Sequence, residues 1–363
     1  VNKKTTTRFA SPSAIIQELF MTRVFKLSTL ALGAMLTTGA FAAPATPPKA
    51  DSHMQKVLDA LASLNGKPIE TLTPEEARKQ PTPADAVKKV LTDAGKSTAP
   101  EPGVTIKDMT VKGPNGDFPV HIYTPEGKGP FPVMVYYHGG GFVIADTQVY
   151  DASPRALAKM AKAIIVSADY HRAPENKFPA APNDAYAAYT WTLEHAKEFN
   201  GDPTRVAVGG ESAGGNLATV VSIMARDKKA TMPVHQLLVY PVVDNDMTRP
   251  SYVQNAAAKP LNKPMMEWFF KHYAADAASP MALPLKNADL KGLPAATIVA
   301  AEIDPLTSEG KAYADALKKA GVKVDYKLYN GVTHEFFGMG AVVPKAKDAE
   351  QFAADGLMKA FKK

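Results

Sequence analysis

The run Gly209-Gly210-Glu211-Ser212-Ala213-Gly214 sets a serine between two glycines, and it is the first stretch of this chain arranged for chemistry. Its G-x-S-x-G pattern follows the apolar run RVAV (205–208) and precedes the helix-forming stretch NLATVVSIMARD. A strand that turns sharply into a helix forces its central residue into strained backbone angles, and flanking glycines let neighbouring segments approach without a Cβ clash. Ser212 would then stand at the tip of a sheet. A hydroxyl there becomes a nucleophile only if a base takes its proton, and the base needs a third group to orient it.

Three histidines follow Ser212: His235, His272 and His334. In an open α/β sheet, chemistry gathers at the carboxyl ends of strands. His235 begins a strand, at the wrong end, and His272 lies in a segment with no strand pattern, where a surface helix position is the simpler reading. His334, in NGVTHEFF just after the expected strand 323–329, is the base. For the acid, ATIVAAEIDPL ends its strand at Glu302 and Asp304, and Asp304, stopped by Pro305, is preferred to Glu302. Asp244, after LLVYPVVD, is the runner-up; taken alone, Asp304 would equally suit a helix N-cap. Attack on an acyl carbon places negative charge on its oxygen, so unpaired donors must be waiting. The run HGGG (138–141) after FPVMVYY bares backbone N–H groups: Gly139 and Gly140 supply two oxyanion-hole donors and Ala213 the third.

These residues need a scaffold, and the hydrophobic pattern describes one. Met54, Val57, Leu58, Leu61 and Leu64 recur at helical spacing over 51–64, and a second helical stretch covers 84–94. From Gly103 the pattern turns to strands. VTIKDMTVKG and FPVHIYTP alternate as a half-exposed antiparallel pair, and FPVMVYY is continuously apolar, as a buried strand is. Helices at 153–161, 182–199 and 212–226 then alternate with strands at 163–168, 205–208 and 236–239. After an interruption at 245–284 come strand 295–301, helix 308–320, strand 323–329 and helix 344–361. The interrupting segment carries prolines and the run MMEWFFKHY and reads as an inserted helical cap; of Trp268, Phe269 and Phe270, two are expected to pack and one to line a pocket. The fold class is α/β, a mostly parallel eight-stranded sheet with helices on both faces and a helical cap; with the elbow, the Ser, Asp, His order and the HGGG loop, it resembles an α/β-hydrolase fold. Residues 51–102 form N-terminal cap helices, and 103–363 the catalytic domain.

The formal charge of +6 is uneven: residues 1–42 hold Lys3, Lys4, Arg8, Arg23 and Lys26 against Glu18, leaving a near-neutral body with no footprint for nucleic acid. Arg23 and Lys26, the apolar stretch 27–41 and the ending Ala40-Phe41-Ala42 have the layout of a secretory signal peptide over 21–42. The stretch is too short for a membrane span, and no cysteine follows it to carry a lipid, so no stable membrane anchor is expected. Translation is expected to start at Met21, with 1–20 an over-called extension, and the Pro/Ala-rich 43–50 is a linker. A periplasmic or secreted location follows. The absence of cysteine excludes disulfides, thiolate metal sites and thiol catalysis. No H-E-x-x-H, P-loop or strand-borne G-x-G-x-x-G is present, so no metal and no cofactor are expected.

HGGG, the G-E-S-A-G elbow, Asp-Pro-Leu and a late His-x-Phe, in that order, resemble the bacterial hormone-sensitive lipase family of carboxylesterases. The likeness runs from about Gly103 to the C-terminus. ADYHRAPENKFPAAPND adds to it, matching the family at Asp169, Tyr170, Ala173, Pro174, Glu175, Phe178, Pro179, Ala180, Ala181 and Asp184. The chain departs from the family at His171 and Arg172, where Arg then Leu are usual, which puts a buried ion pair of the family in question, and at Glu211, where Asp or Thr is usual. The resemblance implies a cap built from N-terminal helices and an insertion after the sixth strand, a small-molecule ester substrate with a short acyl chain, no cofactor, and often a homodimer through the last strand and helix. The expected reaction is hydrolysis of short- to medium-chain acyl esters by a serine carboxylesterase, through an acyl-enzyme on Ser212. An amidase or deacetylase would use the same triad. A non-catalytic ligand-binding protein of this fold would typically lack His334. Ser308 and Lys311 form an S-x-x-K without an accompanying K-T-G, which reads as coincidence.

Overall fold

The computed structural model describes residues 47–362. The expected signal peptide, the 1–20 extension and the start of the linker lie outside them. Among the described residues, eight strands form one sheet: β1 (Val104–Gly113), β2 (Gly116–Pro125), β3 (Phe131–Tyr137), β4 (Ile164–Ala168), β5 (Gly201–Glu211), β6 (Gln236–Val239), β7 (Ala296–Ile303) and β8 (Val324–Thr333). Their order across the sheet is β1-β2-β4-β3-β5-β6-β7-β8. β2 alone runs against the others, pairing antiparallel with β1 and β4, while every pair from β4 to β8 is parallel.

Alternation along each strand divides the core into two layers. In β3, Val133, Val135 and Tyr137 point into one apolar cluster, and Met134 and Tyr136 into the other. Successive side chains leave opposite faces of a strand, so a strand covered on both faces must be apolar at every position, as β3 is. Helices Ala180–His195, Ala213–Asp227 and Thr307–Lys319 supply the first layer through residues such as Tyr189, Leu217 and Leu317. Ala152–Ala161 and Pro344–Phe361 supply the second through Leu157 and Leu357.

The observed elements differ from the expected ones at several places. Strand β8 continues past Tyr329 to Thr333, with an irregularity in its pairing to β7 between Ala301 and Ile303 that carries the chain to the site. The proline-punctuated stretch after residue 72 holds a short helix, Pro74–Ala77, because Thr73 and Glu76 form a capping box that satisfies its first donors. The sixteen-residue helix Ala180–His195 ends before Phe199 and tightens into a 3₁₀ turn, Ala196–Phe199. The N-terminal helices fall where periodicity puts them, at Ser52–Ser63 behind the N-cap Asp51 and at Pro83–Asp93. Residues 245–284 contain helices Pro250–Gln254 and Lys263–Tyr273. Among the described residues, no helix is long and apolar enough to cross a membrane.

The loop after β6 is tied to helix Thr307–Lys319 by Glu309, fully buried, whose Oε1 accepts the N–H groups of Val243 (2.8 Å) and Asp244 (3.2 Å). Burial pushes this carboxyl up to about 8 from an ordinary 4.5, the neighbouring Asp244 and Asp304 charges adding to the effect, while the two N–H donors pull the other way. Glu350, also buried, is raised to about 8. A carboxyl whose folded pKa lies above its unfolded one contributes stability that is present below the unfolded value and is lost as pH rises through the folded one. The melting temperature is therefore expected to fall between about pH 5 and pH 8. Glu309→Gln, which keeps the acceptor and removes the charge, should flatten that slope, whereas Glu309→Ala should cost about 1–3 kcal/mol by stranding two N–H groups. A slope unchanged in Glu309→Gln would show that this carboxyl does not titrate as its burial requires.

Candidate active site

Strand β5 ends at Glu211 and helix Ala213–Asp227 starts two residues later, so Ser212 alone makes the turn. Its backbone sits at φ 56° and ψ −115°, a conformation that non-glycine residues rarely adopt and that is held here by the packing around it. The flanking glycines have a concrete reason. A Cβ at Gly210 would stand 2.5 Å from the carbonyl oxygens of Tyr137 and Gly214, and one at Gly214 would overlap the Tyr137 carbonyl. The turn closes because the Ser212 N–H donates to Val239 O at 2.9 Å, and its carbonyl accepts from Asn216 and Val242 at 3.1 Å each.

The expected partners converge from the neighbouring strand ends. His334 follows β8 directly and Asp304 follows β7; their contact is His334 Nδ1 to Asp304 Oδ2 at 2.7 Å, with both residues buried. Asp304 Oδ1 accepts the Leu306 N–H at 2.8 Å, so each carboxylate oxygen is held. The imidazole packs on Tyr240, ring centres 4.4 Å apart. Burial works against a charged imidazole, but the charge and hydrogen bond of Asp304, with Glu335 and Glu211 beyond it, outweigh that and raise its pKa above the ordinary 6.5. Ser212 and His334 line one cavity of about 350 Å³ with Gly140; Ile69, Met265 and Phe269 close it from the helical segments outside the sheet. Gly139 precedes Gly140 in the loop after β3. Ala213 opens its helix, where an N–H has no partner within the helix.

The rival residues are engaged elsewhere. Asp244 is clasped by Arg249 and by Lys286 Nζ at 2.9 Å. Glu302 accepts the Gly331 N–H at 2.7 Å, holding the bend of β8. His235 Nε2 meets Thr297 Oγ1 at 2.9 Å at the amino end of β6, and His272 packs edge-on against Trp268. Ser308 accepts the Ser251 N–H at 3.0 Å, while Lys311 pairs along its helix with Asp315, so the S-x-x-K residues do not act together. Of the three aromatics 268–270, only Phe269 lines the cavity; Trp268 donates to Leu72 O at 3.1 Å and Phe270 packs on the core. At the departures from the family pattern, His171 Nδ1 meets the buried Asp184 at 2.7 Å, and Arg172 reaches Ala145 O. Among the described residues, no group of three or more His, Cys, Asp or Glu is placed to hold a metal ion.

Several positioning residues escape sequence reasoning. Asn255 Nδ2 donates to the carbonyls of Asp304 (3.1 Å) and Glu302 (3.2 Å) and so fixes the acid-bearing loop. Glu211, buried beside the serine, accepts Tyr136 Oη at 2.5 Å and a short bond from Tyr240; burial, with the Glu335 charge behind it, lifts its pKa to about 7. Arg78, from the N-terminal segment, donates to Val143 O and Ala173 O at 2.8 Å each and holds both oxygens of Glu175 at 2.8 Å, drawing that carboxyl down to about 2. These partners lie 65 to 97 residues away in sequence, so no local motif announces them.

The model of the family described as "alpha/beta hydrolase fold" matches residues 134–338, and the chain belongs to that family, in its hormone-sensitive-lipase-like branch of bacterial carboxylesterases. Among its relatives, it is 41% identical over 263 residues to the carboxylesterase NlhH of Mycobacterium tuberculosis, covering 69% of this chain and 82% of NlhH. It is 31% identical over 318 residues to an ethyl acetate hydrolase of Pseudomonas putida, covering 85% of this chain and 98% of that one. The crystal structure of a thermostable esterase from Pseudomonas putida superposes with a TM-score of 0.77 at 36% identity, over 86% of this chain and 98% of the esterase.

Arg78 links the N-terminal segment to the loop that follows the three glycines. Its bonds to two backbone carbonyls are charge-assisted and partly buried, while the Glu175 pair is mostly exposed and adds little. Arg78→Ala is expected to lower the unfolding free energy by about 2 kcal/mol in urea titration. A loss below about 0.5 kcal/mol would mean that solvent replaces these bonds at no cost.

Proposed function

We infer that this protein is a serine carboxylesterase. The observation that carries the reading is the buried His334–Asp304 contact at 2.7 Å, with His334 and Ser212 together lining one apolar-walled cavity. Ser212 Oγ attacks the ester carbonyl as His334 Nε2 takes its proton; Asp304 keeps the proton of Nδ1 facing inward and stabilises the imidazolium that forms. The N–H groups of Gly139, Gly140 and Ala213 receive the charge that develops on the carbonyl oxygen. His334 then returns its proton to the leaving alcohol, which departs as the Ser212 acyl ester forms. Water, deprotonated by His334, releases the acid. The names of the relatives and structural neighbours support ester hydrolysis.

A cavity closed by Met265 and Phe269 fits a short acyl chain. Acetate and butyrate esters of p-nitrophenol should turn over faster than laurate, and the reverse order would refute the assigned pocket. Ser212→Ala should remove turnover, and Asp304→Asn should lower kcat about 10⁴-fold by releasing the wrong imidazole tautomer. Turnover retained in Ser212→Ala would end the mechanism. Only the neutral imidazole accepts a proton, so kcat/KM should rise with pH through an apparent pKa above 6.5. An acid limb below that value would place the controlling group elsewhere.

The pattern of residues 21–42 supports export. N-terminal sequencing of the protein recovered from the periplasm should then begin at Ala43, and a mature chain that retains 21–42 would contradict it.

A further inference from the structure

Beside His334 stands a residue that the triad does not use. Glu335 has φ +69°, a left-handed conformation that glycine holds freely and an L side chain does not. Both its oxygens face the hydroxyl of Tyr150, at 2.6 and 2.7 Å. Held so, Glu335 Oε1 lies 3.8 Å from His334 Nε2, the nitrogen opposite the one that Asp304 engages. That separation is too long for a direct hydrogen bond and short enough for one water to touch both groups. Glu335 and Tyr150 also belong to two cavities at once: the one that holds Ser212, and a second of about 480 Å³ that reaches Glu211 and Glu350.

We propose that Glu335, clamped by Tyr150, is a positioning residue that seats the hydrolytic water at His334 Nε2. The inference rests on the carboxylesterase reading. Water donates one O–H to Glu335 and the other to Nε2, which leaves a lone pair directed at the acyl carbon. Nε2 takes the second proton as the water oxygen bonds to carbon; the tetrahedral intermediate then breaks the bond from carbon to Ser212 Oγ, and the same proton passes from Nε2 to Oγ. The acid leaves with its new oxygen, and Glu335 ends as it began. Because Glu335 also borders the second cavity, water can reach this seat from the side away from the bound acyl chain. Alcohol departure needs no such seat, so acylation and deacylation should respond differently to its loss.

Charge is the second consequence. The ionisable groups facing the imidazole are Asp304 from the end of β7, Glu211 from the end of β5, Tyr240 after β6, and Glu335 with its partner Tyr150. Removing the Glu335 charge leaves the others in place and makes the imidazolium less favourable, so the acid limb should move to lower pH.

Glu335→Gln tests both consequences, because the amide oxygen still accepts the Tyr150 hydroxyl and a purely structural role would survive the change. In stopped-flow assays with p-nitrophenyl butyrate, deacylation is expected to slow about 10-fold while acylation stays within about 3-fold, giving a larger burst of p-nitrophenol. The acid limb of kcat should move to lower pH, and Glu335→Asp, which restores the charge, should move it back. Equal losses in both steps, no loss in either, or an unmoved limb would overturn the proposal. Ser212→Ala run in parallel separates the two readings. If it is inactive while Glu335→Gln behaves as wild type, only this inference fails; if it is active, the esterase mechanism fails first.

Discussion

The site depends on one backbone conformation. Ser212 must occupy φ 56° because strand β5 and the following helix meet with a single residue between them. That geometry survives only where nothing fills the space beside it. The carbonyls of Tyr137 and Gly214 occupy the positions that side chains at Gly210 and Gly214 would need, so the G-x-S-x-G spacing records a packing constraint as much as a chemical one. The strain, on the order of 1–3 kcal/mol for such a residue, is balanced by the end of β6 and the loop that follows it: Val239 accepts the Ser212 N–H, and Val242 donates to its carbonyl.

Around that turn the protein gathers titratable groups that water would normally hold apart. Asp304 and Glu211 approach the imidazole from strand ends on either side of β6, and Glu335 from the chain beside it. Burial and mutual repulsion lift Glu211 to about 7, while the same carboxylates favour a charged His334. Tyr136, Tyr150 and Tyr240 donate to Glu211 and Glu335 without bringing further charge. In the proposed mechanism His334 becomes an imidazolium, and it is surrounded by groups already arranged for that charge, with no solvent reorganisation required.

The sequence made legible what local pattern controls. A continuous apolar run marks β3, the alternation of helical and strand segments marks helices over 212–226 and 344–361, and the rule that chemistry sits at strand carboxyl ends points to His334 and Asp304 rather than to His235. Contacts between distant residues were not legible. Asp244 and Asp304 both follow strands, and only the structure shows Asp244 held by Arg249 and Lys286. Arg78, Asn255 and Tyr150 carry no signal because their partners come from other parts of the chain. Glu335 hid for a different reason: next to a histidine it reads as an ordinary surface acid, and its left-handed backbone has no glycine to announce it. The expected strand 323–329 stops short of Thr333 because Asn-Gly favours a turn by composition, whereas here Gly331, at φ +70°, lies within the strand and its N–H is held by Glu302.

In the proposed mechanism Ser212 alone carries the acyl group. Covalent labelling with a fluorophosphonate, followed by peptide mass mapping, reads this directly. One adduct per chain on Ser212, with Ser308 unlabelled, is the expected result. An adduct on another serine, or no adduct on a folded and active protein, would contradict the account.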